Sequence, residues 1–367
     1  MNQNAISQLR SWLDEQGLDA LLVTQPQNRS YLSGWLNDDT EGAGILLVGQ
    51  QQQILLTNPL YQEIAGKEAA GWQTVVPPSR EYFAAIATQA QEHGWHKIGF
   101  ESKALTYYEY EKIREAGENI FTLQPVDNSF VNTLREVKQP YEVDLLRRAI
   151  AITDAAFSYL CKWIEPGMSE KEIEWEISRY MVSLGAESTS FDSIVASGPN
   201  SSMPHAHPGE RQIQRGELLT IDMGARYKGY CADMTRTICL GEPSDPRMQE
   251  IYDAVLNAMK TCEAGLRAGI SGQAADALAR NALEVAGLAE YYIHSTGHGV
   301  GLQVHEGPTL SQRAPDNMTL PAGSVVTVEP GVYIPDWGGV RIEDCVLIKE
   351  DGCEVLTQSP TQLVIQR

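Results

Sequence analysis

The sequence predicts an α+β chain of two domains, a smaller α/β unit over residues 1–133 and a larger domain over 134–367 made of two like halves. Three observations carry this. The length of 367 residues is enough for two separate cores. Helical and strand-like apolar spacings alternate from Ile6 to Pro125, as in an α/β unit. Beyond Pro140, the order helix, helix, strand pair with two interior carboxylates occurs twice.

In the first unit, Ile6, Leu9, Trp12 and Leu13 recur at helical spacing, and Gly17 suits a left-handed helix end. Ala20–Val23 reads as a buried strand, and Gly44–Val48 with Ile54–Thr57 as a hairpin around Gly49-Gln50. Glu81–His93 and Tyr107–Glu115 read as helices, with Ile98–Glu101 and Phe121–Pro125 as strands. No catalytic residue types cluster here, and His93 and His96 read as solvated surface residues. The unit is expected to support chemistry housed elsewhere.

In the second domain, Pro140 fits the first turn of a helix continued by Leu145, Leu146, Ala149 and Ile152. Ser169 with Glu172 is in capping-box register for a second helix. Strands follow at Ser193–Ala196 and at Leu218–Arg236, the latter a hairpin turning at Lys228-Gly229. Asp245-Pro246 opens a third helix and Ser271 caps a fourth. Val325–Val332 and Arg341–Ile348 then read as strands. Pro140 and Pro246 are 106 residues apart, Asp222 and Glu329 107, Asp233 and Glu343 110. The near-constant offset predicts a pseudo-twofold domain.

Composition bounds the function. Hydrophobic residues at 43% and charged ones at 21% describe an ordinary globular chain. No apolar run approaches the ~20 residues of a membrane helix. Met1–Gln16 lacks the marks of a secretion signal, so a cytoplasmic location is expected. The six cysteines show no CxxC pattern and read as reduced core thiols. A formal charge of −20 argues against nucleic acid or an anionic membrane as partner.

The chemistry concentrates in four acids and a glycine-framed histidine. Asp222 and Asp233 lie one in each arm of the first hairpin, and Glu329 and Glu343 one in each of the later strands. A carboxylate within an apolar strand either points into water or meets a cation. His298, in Gly297-His298-Gly299-Val300-Gly301, can complete an oxygen-rich site of two Asp, two Glu and one His, which suits two divalent ions. His294 and His298 are four apart, but the glutamate of a zinc-protease helix is missing and the glycines oppose a helix.

With these residues in place, the chain resembles the pita-bread metallopeptidases, the family of methionine aminopeptidase, aminopeptidase P and prolidase. Ile221-Asp222-Met223-Gly224-Ala225, Ala232-Asp233-Met234-Thr235-Arg236, Gly297–Gly301, Val328-Glu329-Pro330-Gly331 and Gly339–Asp344 match that family's motifs in order. Asn28–Gly34 and Leu55–Asn58 resemble the creatinase/prolidase amino-terminal domain, which methionine aminopeptidases lack. Arg341 also points to the proline-directed members.

The resemblance implies a pita-bread catalytic domain behind a creatinase-like α/β domain. It implies Asp222, Asp233, His298, Glu329 and Glu343 as ligands of two divalent metal ions, manganese first, with cobalt, zinc or iron as alternatives. The implied reaction is attack of a metal-bridging hydroxide on the bond before proline in peptides with proline at the second position. Glu329 would shuttle the proton, His305 would bond the carbonyl or oxyanion, and His205 would stand on the leaving-proline side. His294 and Arg341 would contact substrate, and a homodimer is expected. Glu306 reads as a brace for the His305 loop, and Cys231 and Cys239 as core packing.

Prolidase-like members usually carry an arginine shortly after the His-Glu segment, where this chain has Thr309. That departure favours an Xaa-Pro aminopeptidase acting on longer peptides, with the Xaa-Pro dipeptidase as alternative. A creatinase- or ectoine-hydrolase-like amidohydrolase and a non-enzymatic binding protein are the rival classes, and retention of all five ligands disfavours the metal-free versions of the first and the second as a whole.

Overall fold

The computed structural model describes residues 3–37, 44–78, 82–126 and 130–366, and the chain divides into two compact units, Met1–Arg135 and Glu136–Arg367. The first unit runs α1 (Gln3–Gln16), β1 (Ala20–Val23), α2 (Pro26–Ser33), β2 (Ile45–Gly49), β3 (Gln53–Leu56), α3 (Gln62–Glu68), β4 (Gln73–Val75), α4 (Tyr82–His93), β5 (Lys97–Glu101), α5 (Tyr107–Ala116), β6 (Thr122–Val126) and α6 (Phe130–Glu136). Its mixed sheet has the order β4-β3-β2-β1-β5-β6. The predicted hairpin is β2–β3, and β5 pairs in parallel with β1 and β6. Glu81, read as a helix start, lies outside the described residues.

Two details differ from the sequence reading. His93 is half-buried, its ring 5.2 Å from that of Trp95, rather than solvated. The segment at Pro26 forms a helix whose polar residues are buried. Arg29 there donates to the Gly44 carbonyl at 2.8 Å and the Asn37 carbonyl at 2.6 Å, so tertiary hydrogen bonds hold a helix that no apolar stripe announces.

The second unit runs α7 (Pro140–Trp163), α8 (Glu170–Ser183), β7 (Ser188–Thr189), β8 (Ile194–Ser197), β9 (Leu218–Met223), β10 (Ala225–Tyr227), β11 (Tyr230–Cys231), β12 (Met234–Leu240), α9 (Arg247–Gly265) and α10 (Gly272–Val285). It continues with β13 (Gly297–Gly299), β14 (Glu306–Leu310), β15 (Val325–Val328), β16 (Gly331–Ile334), β17 (Gly338–Arg341), β18 (Asp344–Lys349), β19 (Gly352–Val355) and β20 (Val364–Ile365). The caps are those the residues demand: Pro140 opens α7, Ser169 and Glu172 close a capping box on α8, and the Ser271 hydroxyl accepts from Ala274 N–H.

Each half has its own core. α7 and α8 pack Phe157, Leu160, Ile173 and Ile177 against Ile221 and Ile238. α9 and α10 pack Tyr252, Met259, Ala279 and Leu283 against Val326, Val346 and Ile348.

The strand pairs carry the pseudo-twofold most clearly. Each expected continuous strand is broken at or just beyond its carboxylate. β9 ends one residue beyond Asp222, and Asp233 lies between β11 and β12. Glu329 separates β15 from β16, and Glu343 separates β17 from β18. Beyond the breaks, the hairpin tips leave the main sheets, β10–β11 joining β7 and β16–β17 forming a two-stranded ribbon. Gly224 permits the first bend, since a Cβ there would lie 1.9 Å from the Ala232 carbonyl oxygen. Pro330, lacking an N–H, interrupts the ladder at the second. Lys228 and Gly229, with φ of 48° and 80°, make the first tip a tight turn.

Arg236 ties the halves together. Its guanidinium, fully buried, donates to Asp344 Oδ1 at 2.6 Å, the Glu343 carbonyl at 2.6 Å and the Ser359 carbonyl at 2.8 Å. Removing one partner of a buried ion pair strands the other charge. Arg236→Ala is therefore expected to destabilise the unit by about 3–5 kcal/mol, read as a fall in the urea unfolding midpoint relative to the unsubstituted chain.

Candidate metal centre

The bends converge. All nine predicted site residues, His205, Asp222, Asp233, His294, His298, His305, Glu329, Arg341 and Glu343, line one cavity of about 520 Å³. Asp233, His298 and Glu343 each offer a ligand atom within 4.8 Å of the others. His298 Nε2 lies 3.3 Å from Glu329 Oε1 and 3.7 Å from Asp233 Oδ2. Asp222 flanks the cluster, its Oδ2 accepting from Arg341 at 2.7 Å.

His298 is oriented by its other nitrogen. Nδ1 lies 3.1 Å from the Gly299 carbonyl, which can only accept, so Nδ1 carries the proton. Nε2 is thereby turned to the carboxylates, the arrangement of a metal-ligating histidine. The glycines of β13 are steric requirements: a Cβ at Gly297 would lie 2.0 Å from the Thr327 carbonyl oxygen, and one at Gly299 2.0 Å from that of Gly307.

The electrostatics are those of a site made for cations. Burial, then repulsion from Glu343, pushes Asp233 well above the usual carboxylate range. Burial and Glu329 do the same to Glu343. Burial also raises Asp222, against the pull of Arg341. For Glu329, burial opposes ionisation, but the contact with His298 outweighs it and holds the carboxyl at about 2. Burial likewise opposes charge on His298, and Glu329 nonetheless lifts its pKa to about 9. Asp222 Oδ1 is buried without a hydrogen-bond partner among the described residues. Four inward carboxylates, an imidazole nitrogen turned towards them and an orphaned oxygen fit divalent ions.

Arg341 is buried and held on several sides, by Asp222, by Tyr333 Oη at 2.7 Å and by Thr235 Oγ1 at 3.0 Å. Its partner is thus an acid of the cluster, and Asp344 is engaged by Arg236. His294 is bound at both nitrogens, Nδ1 to the Ser295 carbonyl at 2.8 Å and Nε2 to Tyr333 Oη at 2.9 Å. Burial lowers its pKa, so Nε2 accepts from the tyrosine. The His305 ring lies 4.2 Å from that of His298, centroid to centroid and tilted by 57°, and burial followed by the charge of His298 lowers its pKa. His205 lies exposed on the rim, as does His207.

Sequence reasoning missed Thr235, Tyr333 and Lys138. Thr235 donates to Glu343 Oε2 at 2.7 Å; its place opposite Asp222 across the predicted hairpin was an available signal. Tyr333 joins His294 to Arg341 and carries no local mark. Lys138 forms a buried pair with Glu306 at 2.7 Å, and Glu306 Oε2 accepts from Gln303 N–H at 3.3 Å within the loop that carries His305. Among the described residues, Cys231, Cys239, Cys262 and Cys345 are buried and Cys161 and Cys353 half-buried, all as free thiols.

Comparison with known proteins agrees with this geometry. Residues 144–350 match metallopeptidase family M24, and residues 6–137 match the creatinase/prolidase N-terminal domain. The solved structure of an Xaa-Pro dipeptidase from Bacillus anthracis superposes with a TM-score of 0.93 at 41% identity, covering 99% of both chains. An Xaa-Pro dipeptidase of Pyrococcus horikoshii is 35% identical, over 99% of both chains. An X-Pro aminopeptidase structure from Thermotoga maritima follows at 32% identity and TM-score 0.88, again over 99% of both chains. With its bent strand pairs, its inward acids and a family match across more than half its length, the chain belongs to metallopeptidase family M24.

Proposed function

We propose that the protein is an Xaa-Pro dipeptidase, a hydrolase that splits a dipeptide before its carboxy-terminal proline. The observation that carries this is full-length likeness to Xaa-Pro dipeptidases at 41% and 35% identity, against 32% for the X-Pro aminopeptidase. It reverses the order suggested by Thr309, because one departing side chain weighs less than likeness along the whole chain. The aminopeptidase is the second reading, favoured by Thr309 and by that 32% relative.

Asp222, Asp233, His298, Glu329 and Glu343 would hold two divalent ions. Ions so bound supply Lewis acidity and an activated water. The protein's own groups do the rest. Glu329 takes a proton and returns it to the leaving nitrogen. His305, kept neutral by burial, donates an N–H to the oxygen on which negative charge develops. His205 contacts the proline side, and Arg341 fixes Asp222 through a charge-assisted bond. His294 acts through Tyr333 and Arg341. Manganese as the ion, a homodimer and a cytoplasmic location rest on family resemblance; no described helix is long and apolar enough to cross a membrane.

Rates on Ala-Pro and Ala-Pro-Ala test the substrate class. A preference of tenfold or more for the dipeptide is expected, and faster cleavage of the tripeptide would restore the aminopeptidase. Glu343→Ala and Asp233→Ala test the centre. Each is expected to lower bound metal, measured by elemental analysis, and to cut activity by more than about 100-fold, beyond what loss of an outer-shell partner costs. Retained metal and turnover would dismiss the ligand set.

A further inference from the structure

A dipeptide ending in proline brings a free carboxylate close to the bond being cut. Removing that charge from water requires a cation. Most cations around the cavity are committed. Arg341 is bonded to Asp222, Tyr333 and Thr235, and His298 faces Glu329. Lys138 is paired with Glu306. His205 and His207 remain, but a histidine is charged only when protonated.

Arg313 stands apart. Its side chain is exposed and, among the described residues, has no ion pair. It lines a second cavity of about 520 Å³ together with His298, His305, Thr309 and Ser311. This cavity and the main one share Ser295, His298 and His305. Glu306, also at its wall, is neutralised by Lys138 at 2.7 Å.

The turn that presents Arg313 is fixed. Its own N–H donates to Ser311 Oγ at 3.2 Å, and Ala314 N–H to the Ser311 carbonyl at 3.0 Å. Ser311 N–H bonds the Gly272 carbonyl at 3.1 Å, and Gln273 Nε2 bonds that of Ala314 at 2.8 Å. Gly272 allows β14 to come this close, since a Cβ there would lie 2.3 Å from the Thr309 carbonyl oxygen. A held turn leaves little backbone freedom to lose on binding, and the guanidinium fork matches a carboxylate.

We propose that Arg313 binds the substrate's terminal carboxylate, taking the task that Thr309 cannot perform. The inference rests on the dipeptidase reading, which it deepens by naming the residue that recognises a free carboxyl end.

The test compares kcat/KM for Ala-Pro and for its carboxamide, Ala-Pro-NH2, in the metal-loaded enzyme and in Arg313→Ala and Arg313→Lys. The unsubstituted enzyme is expected to favour the acid over the amide by about 10–100-fold, the span of one charge-assisted contact. Arg313→Ala should collapse that ratio toward one, chiefly through KM, and Arg313→Lys should restore part of it. If Arg313→Ala keeps the full ratio, the carboxylate is held elsewhere and this inference falls while the dipeptidase reading stands. If the unsubstituted enzyme shows no preference for the acid, the dipeptidase reading falls, and the role of Arg313 with it.

Discussion

The second unit is organised by the cost of placing four carboxylates in one buried cavity. An unpaired interior charge costs several kcal/mol, and like charges set close together cost more. The chain offsets part of this with its own cations, Arg341 on Asp222 and His298 on Glu329. Asp233 and Glu343, pushed up by burial and by neighbouring carboxylates, carry what remains. A protein seeking stability alone would bury apolar residues here. Concentrated repulsion of this kind is retained where cations of higher charge do chemistry, which is why a perturbed cluster in a cleft marks function.

The same constraint explains the strand breaks. A continuous β-ladder holds its side chains perpendicular to the sheet at fixed spacing, and two such ladders would keep their acids apart. Ending the strands at or beside the carboxylates lets Asp233, Glu329 and Glu343 leave the ladder, while Asp222 stays at the last rungs of β9. Thr235 then serves both halves, its hydroxyl donating to Glu343 and accepting from Arg341. Arg236, next along the strand, faces the other way and clamps the outside of the same junction through Asp344.

Much of this was legible in the sequence because it rests on short-range rules. Caps such as Ser169 with Glu172 and the turn at Lys228-Gly229 are set by local hydrogen bonding and backbone preference. The four acids showed because charge within apolar, β-favouring runs is conspicuous. The breaks were less visible: Gly224 and Pro330 were present, but unbroken apolar spacing on either side read as continuous strands. Tyr333 and Lys138 were invisible for another reason, since each acts through a partner far along the chain, Lys138 through Glu306. The helix at Pro26 escaped because its buried face is polar, and only the folded chain supplies the carbonyls that satisfy Arg29.

Residue identity at one position carries unequal weight for different tasks. Asp, Glu and His ligands are short, so a metal site needs each at one place on the backbone. Replacing any of the five would have removed the reading altogether. A carboxylate anchor is different, because arginine's long stem lets its charge arrive from several backbone positions around the same cavity. Thr309 thus argued against a free carboxyl end only as long as the cation was sought at that residue. Four residues on, beyond a turn pinned to the start of α10, Arg313 reaches the same wall. Substrate class in such a scaffold is better read from which charges around the cavity stay uncommitted than from any one side chain that differs from its relatives.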